Sequence, residues 1–144
     1  MLSDVCGVVL LRDDGAALMQ LRDDIPAISD PGMWCFPGGH CEAGEELLAC
    51  AGREFFEETR YCCADLQHVV TFPAGEIGYS GNYAIAFFVE LFDGIQEWRC
   101  CEGQELRFLR RHEAALFPMR DYVTRVWDLA VAAVRNLPSS GQRR

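Results

Sequence analysis

One stretch constrains this chain more than any other: W-C-F-P-G-G-H-C-E-A-G-E-E-L-L-A-C-A-G-R-E-F-F-E-E-T-R-Y, residues 34–61. It reads as a short strand over 34–36, a loop opened by Pro37-Gly38-Gly39, and a helix from about Glu45 to Thr59. On a wheel at about 100° per residue, Leu47, Leu48, Ala51 and Phe55 make an apolar stripe. Glu54, Glu57 and Glu58 make a second stripe, roughly 80° from the first, so it borders the apolar face instead of opposing it. Like charges at i, i+3 and i+4 repel, and the C-terminal half of a helix disfavours anions. Two readings are open. The glutamates form a solvated face answered by arginines such as Arg53 and Arg60, or they hold a hard divalent cation through oxygen ligands. The glycine loop favours the second, because glycine lets backbone carbonyls and amides approach a ligand closely.

Strands are expected over 5–11 and 16–22, joined by the Asp-Gly turn Arg12-Asp13-Asp14-Gly15 into a hairpin. Residues 23–33 are rich in turn formers. Further strands are expected over 66–73, 82–92 and 105–109, and Gly75, Gly78 and Gly81 break the interval between the first two. Asp121 to about Asn136 is a closing amphipathic helix, with Val123, Val126, Trp127, Ala130 and Val134 on one face. Strands mixed with one central and one terminal helix predict an α/β (α+β) sandwich. A single domain over 1–138 and a frayed tail over 139–144 complete the expectation.

All 13 basic residues are arginine and the formal net charge is −9, so lysine Schiff-base chemistry and a P-loop lysine are excluded. So acidic a chain is a poor match for duplex nucleic acid or an anionic membrane, although a bridging divalent metal would still let it bind phosphates. No apolar run approaches the roughly 18 residues of a membrane helix. The N-terminus, M-L-S-D-V-C-G-V-V-L-L, lacks a basic n-region and a small-residue cleavage site. A cytoplasmic protein with no membrane association is expected. The eight cysteines contain no C-x-x-C. Cys35, His40 and Cys41 are the nearest approach to a zinc cluster, without a matching second pair, so reduced thiols acting as small hydrophobes are expected.

Residues 39–61 resemble the Nudix box, G-x5-E-x7-R-E-U-x-E-E-x-G-U, where U is a bulky apolar residue. Gly39 opens it, Glu45 follows, then Arg53-Glu54, Phe55, Glu57-Glu58 and Tyr61. The departure is Arg60 in place of glycine. That glycine suits a left-handed helix C-cap, so arginine there costs about 1 kcal/mol or the helix ends differently. The resemblance implies a Nudix-like α/β/α sandwich with a mixed central sheet and a catalytic loop-helix-loop. It implies hydrolysis of a nucleoside diphosphate linked to another moiety, with Mg²⁺ or Mn²⁺ as cofactor. Glu57 and Glu58 would be metal ligands. Glu54 would be a ligand or the base that activates water. The carbonyl of Gly38 or Gly39 would add an oxygen, and Arg53 and Glu45 would pair to pin the loop to the helix.

In many relatives a further glutamate after the box completes the site. Glu102 and Glu105 are equal candidates here, with Glu97 behind them. Arg22 is a candidate phosphate contact, against a surface ion pair with Asp23 or Asp24. His40 is a surface residue or a substrate contact. Trp34 reads as core before it reads as a base-stacking platform. Tyr79 lies 18 residues past Tyr61, a spacing that resembles diadenosine-polyphosphate hydrolases, whereas Pro73 falls short of the ADP-ribose pattern and the NADH-type S-Q-P-W-P-F-P run is absent. The compact chain resembles members that cleave nucleoside triphosphates, so an NTP or dNTP giving a nucleoside monophosphate and pyrophosphate is the expected substrate. Dinucleoside polyphosphates, ADP-ribose and nucleotide sugars are alternatives. A non-catalytic nucleotide-binding module and a diphosphate isomerase, which pairs a cysteine with a glutamate, are the competing classes.

Overall fold

Continuous apolar runs at Val5–Leu11 (β1) and Ala17–Leu21 (β2) form the expected antiparallel hairpin, closed by the Asp-Gly turn. In that turn Asp14 accepts two hydrogen bonds from Arg12 and one from the Ala16 amide. In the computed structural model, which describes residues 3–136, the remaining strands are Trp34–Cys35 (β3), Gly38–His40 (β4), Gln67–Pro73 (β5), Ala84–Leu91 (β6) and Glu105–Leu109 (β7). Helix α1 spans Leu47–Thr59 and α2 spans Asp121–Arg135. The expected tail over 139–144 lies outside the described residues.

The seven strands form one mixed sheet in the order β3-β2-β1-β6-β5, with β4 pairing β1 and β7 pairing β2. Only β1 and β6 run parallel among these pairs; the others are antiparallel. The parallel pair is buried from both sides, which is why both strands read as near-continuous hydrophobic runs. Alternate residues of β1 face opposite layers. Val9 and Leu11 pack under α2 with Trp127 and Val126, whereas Cys6, Val8 and Leu10 pack under α1 with Phe55 and Ala51. Burying Phe55 fully is worth about 2–3 kcal/mol, so the apolar stripe of α1 fixes the helix against the sheet. This is the α/β/α sandwich expected from the sequence.

Two details differ from the sequence reading. Residues 38–40 continue as a strand instead of only ending one: Gly38 and Gly39 pair with Gly7 and Cys6 of β1. Glycine is depleted in strands, so the pairing comes from close backbone approach. A Cβ on Gly38 would overlap the Cys6 carbonyl. Second, α1 starts two residues late, at Leu47, because Glu42–Glu45 form a turn in which the Glu42 amide donates to the Glu45 carboxylate. Of the two outcomes expected for Arg60, the strained cap is the one adopted: φ is 64° and ψ 12°, and its amide caps the Phe56 carbonyl. Arginine therefore accepts the strained cap itself, with its guanidinium 5.1 Å from the Phe56 ring centre. Trp34 is core, edge-on to Phe117.

Candidate active site

Arg53 organises the acidic helix. Its Nε and Nη2 donate to the two Glu45 oxygens at 2.7 and 2.8 Å, the bidentate pair that ties the loop to α1. Its Nη1 donates to Glu54 at 3.1 Å and to Glu57 at 2.7 Å, and Nη2 also reaches the His40 carbonyl. One guanidinium therefore serves three carboxylates and the end of β4. Its hydrogen bonds hold Glu45 down at about 2 and push its own pKa up. The solvated-face reading is thus half right: Arg53 does answer the acids, while Arg60 turns to Phe56.

Glu58 is different. It is only 7% exposed, and one carboxylate oxygen accepts from Gln20 Nε2 at 3.0 Å and from the Gly38 amide at 3.2 Å. Burial, and then the hydrogen-bonded Glu102 carboxyl beside it, push Glu58 up to about 9. Glu54 is also raised, first by burial, with Arg53 opposing. Its carboxylate lies where a Cβ on Gly39 would stand, so a side chain there would push the Glu54 carboxylate aside.

A cleft of about 390 Å³ runs along these groups. Gly38, Gly39 and His40 of β4, Glu54 and Glu58 of α1, Glu102, Arg22 and Tyr79 all line it. Of the two downstream candidates the fold therefore brings in Glu102. Glu105 lies on β7, outside the cleft lining, and pairs with Arg107 at 3.0 Å. Arg22 has no carboxylate partner among the described residues; its Nε donates to the Ser29 carbonyl at 2.7 Å. His40 is exposed, with its ring 3.2 Å from the Ser3 hydroxyl. Glu57 is half-exposed on the outer side of Arg53.

The donor set suits a hard divalent cation. It is all oxygen, and Glu58 and Glu102 crowd together so closely that one carboxyl is favoured in its neutral form. Among the described residues, however, no three of these carboxylate oxygens gather within 4.8 Å of one another. One oxygen each of Glu54 and Glu57 is instead turned to Arg53.

Sequence reasoning named Tyr79 but missed its partners Asp30, Arg120 and Tyr122. Asp30, in a left-handed conformation, accepts hydrogen bonds from Tyr79 Oη and from Arg120 Nε at 2.8 Å. Tyr122 stands 3.1 Å from the Tyr79 hydroxyl, and burial pushes Tyr122 up to about 12. Asp30-Pro31-Gly32 signalled only a turn, and its partner Arg120 is 90 residues away. Gln20, within the strand expected over 16–22, likewise carries no sequence signal for its contact with Glu58.

A family model described as the NUDIX domain matches residues 1–127. The CMP-5'-(N-acetyl-N-hydroxy-3-aminopropyl)phosphonate hydrolase of Streptomyces rubellomurinus is 31% identical over 116 residues, 73% of this chain and 55% of that protein. A Caenorhabditis elegans relative is 30% identical over 133 residues, 88% of this chain and 35% of its own length. This chain thus spans about half, or less, of the length of the curated relatives it matches. In fold it is similar to the NUDIX domain of Shewanella oneidensis NrtR complexed with ADP ribose, with TM-score 0.77 at 16% identity, covering 93% of this chain and 89% of that one.

Proposed function

Because this chain belongs to the Nudix family, we propose that it is a divalent-metal-dependent pyrophosphohydrolase. Its substrate class is a nucleoside diphosphate linked to another moiety. The observation that carries this reading is the joint lining of one cleft by Glu54, Glu58, Glu102, the Gly38-Gly39 backbone and the carboxylate-free Arg22. Glu57, Glu58 and Glu54, with the carbonyl of Gly38 or Gly39, would hold the cation. Mg²⁺ or Mn²⁺ bound there would supply neutralisation of the diphosphate charge and a lowered pKa for attacking water.

The chain's own residues do the rest. Arg22, in the cleft lining, offers guanidinium nitrogens to a phosphate oxygen. Glu102, at the cleft and hydrogen-bonded to Glu58, is the candidate to accept the water proton, with Glu54 the alternative. Arg53 is a positioning residue: it fixes the loop on the helix and orients Glu54 and Glu57. Gln20 and the Gly38 amide orient Glu58. The aromatic wall of Tyr79, Tyr83 and Tyr122 supports a flat, uncharged substrate portion such as a base.

For the substrate we favour an NTP or dNTP, cut to a nucleoside monophosphate and pyrophosphate. A second reading comes from the Streptomyces relative, named for a CMP–phosphonate conjugate: a nucleoside monophosphate joined to a non-nucleotide acid. The setting we favour is cytoplasmic; among the described residues the eight cysteines are free thiols and no helix is long and apolar enough to cross a membrane. The test is a phosphate-release panel with Mg²⁺ and with Mn²⁺. It covers NTPs, dNTPs, ADP-ribose, nucleotide sugars, dinucleoside polyphosphates and a CMP–phosphonate, with and without added pyrophosphatase. Turnover that requires metal and is lost in Glu57→Gln supports the reading. Metal-independent turnover, unchanged turnover in Glu57→Gln, or silence across the panel contradicts it.

A further inference from the structure

One turn of α1 before Glu54, the fold gathers three sulfur atoms that the proposed hydrolysis does not use. Cys6 lies on β1 opposite Gly39, Cys41 directly follows β4, and Cys50 faces them from α1. The three Sγ atoms lie within 4.8 Å of one another, and those of Cys6 and Cys41 are 3.6 Å apart. Cys6 and Cys50 are fully buried and Cys41 is 8% exposed, so Cys41 is the member of the group nearest to solvent. No fourth His, Cys, Asp or Glu atom joins the group among the described residues.

We propose that Cys6, Cys41 and Cys50 form a three-sulfur site for trivalent arsenic, taken up as arsenite. Coordination number and charge select this ligand. Zinc in structural sites takes four ligands, and only three are present. A divalent ion on three thiolates would leave one negative charge in an apolar layer beside Leu18, Phe55 and Phe88, and a monovalent ion would leave two. Trivalent arsenic on three thiolates is neutral. The reaction is a condensation: each S–H gives its proton to one arsenite hydroxyl, three As–O bonds break, three As–S bonds form and three waters leave. Arsenic stays trivalent, so no oxidant or reductant is needed.

The site has a consequence for the cleft. The Cys50 thiol faces the Gly39 carbonyl at 3.9 Å and the Cys6 thiol donates to the Leu47 carbonyl at 3.2 Å. Arsenic binding removes both S–H donors and draws β4 toward α1, which shifts the glycine pair lining the cleft. Loss of turnover on arsenite treatment is expected to follow binding, but binding itself is read separately.

The test is intact-protein mass spectrometry under native conditions after incubation of the reduced chain with one equivalent of sodium arsenite. The background is Cys62→Ser/Cys100→Ser, which breaks both adjacent-cysteine pairs. One arsenic replacing three protons is expected, with occupancy falling at least about tenfold in Cys41→Ala and in Cys50→Ala. Circular dichroism identifies folded variants; alanine at position 50 suits a helix interior, so Cys50→Ala decides if Cys41→Ala does not fold. The proposal is overturned by no adduct, by an adduct that replaces two protons and keeps a hydroxyl, by full occupancy in Cys50→Ala, or by Zn²⁺ displacing arsenic at equal concentration.

Discussion

The carboxylates around Glu54 and the thiols around Cys50 lie one turn apart on the same helix, yet they crowd on different terms. The thiols pack as neutral hydrophobes; burial pushes Cys6 up to about 12 and keeps its proton on. The carboxylates carry charge, so each needs a partner. Arg53 takes Glu45, Glu54 and Glu57, whereas Glu58, out of its reach, is left against Glu102. A neutral cluster needs no countercharge to stay buried. A charged cluster with one arginine for several acids has room for a cation, and that deficit locates the candidate active site.

The largest effect expected from this contrast is on Glu58. Glu58→Gln keeps the shape and both orienting hydrogen-bond partners nearby but removes the charge, and a metal's contribution of several kcal/mol corresponds to a loss of about 10³-fold in kcat. A loss confined to KM would break the distinction between the two clusters. Arg53→Lys comes next. A lysine cannot make the bidentate contact to Glu45 while reaching Glu54 and Glu57. A loss of about 10- to 100-fold in metal affinity is expected by metal titration of activity, with a folded protein by circular dichroism. An unchanged metal affinity would show that the arginine only pins the loop.

Arg60→Gly tests the departure from the box. Relief of the left-handed conformation should stabilise the chain by about 1 kcal/mol, a rise of a few degrees in Tm, with turnover unaltered. A fall in Tm would show that the stacking on Phe56 outweighs the strain.

Two pH effects of opposite sign separate the acids. Glu58, raised from 4.5 to about 9, binds more protons when folded. Its contribution is fully present below about pH 4.5 and is lost as pH rises toward 9 in metal-free protein. Glu45, lowered from 4.5 to about 2, contributes above pH 4.5 and loses that contribution as pH falls toward 2. Urea titrations of wild type and Glu58→Gln across this range should show the alkaline loss in wild type and a smaller one in Glu58→Gln, and Glu45→Gln should show a smaller acid loss than wild type, the remainder coming from lowered groups such as Asp14 and Asp93.

Much of the fold was legible locally. The Asp-Gly turn set the first hairpin, and the wheel placed Phe55 inward with the glutamates at its edge. The Glu45–Arg53 pair followed from family resemblance. What escaped was whatever needs distant residues. Gly38-Gly39 becomes a strand only because β1 offers a backbone edge, and a preference scale for glycine argues against it. The choice of Glu102 over Glu105 depends on the loop before β7 folding toward Glu58. Asp30 and Arg120 pair across 90 residues, and the three sulfurs converge from β1, the segment after β4 and α1. No spacing in the chain encodes either group. The nearest sequence signal, Cys35-His40-Cys41, names the wrong partners, because Cys35 sits on β3 while the actual companions of Cys41 are Cys6 and Cys50.

The most direct measurement is calorimetric titration of Mn²⁺ into metal-free wild type and Glu58→Gln at pH 8, repeated in buffers of different ionisation enthalpy. The charge deficit predicts binding to wild type with release of a proton, because Glu58, raised to about 9, must ionise to accept the ion. It predicts weak or absent binding and no proton release in Glu58→Gln. Equal Mn²⁺ affinity in the two proteins would contradict the assignment of the carboxylate cluster as the metal site.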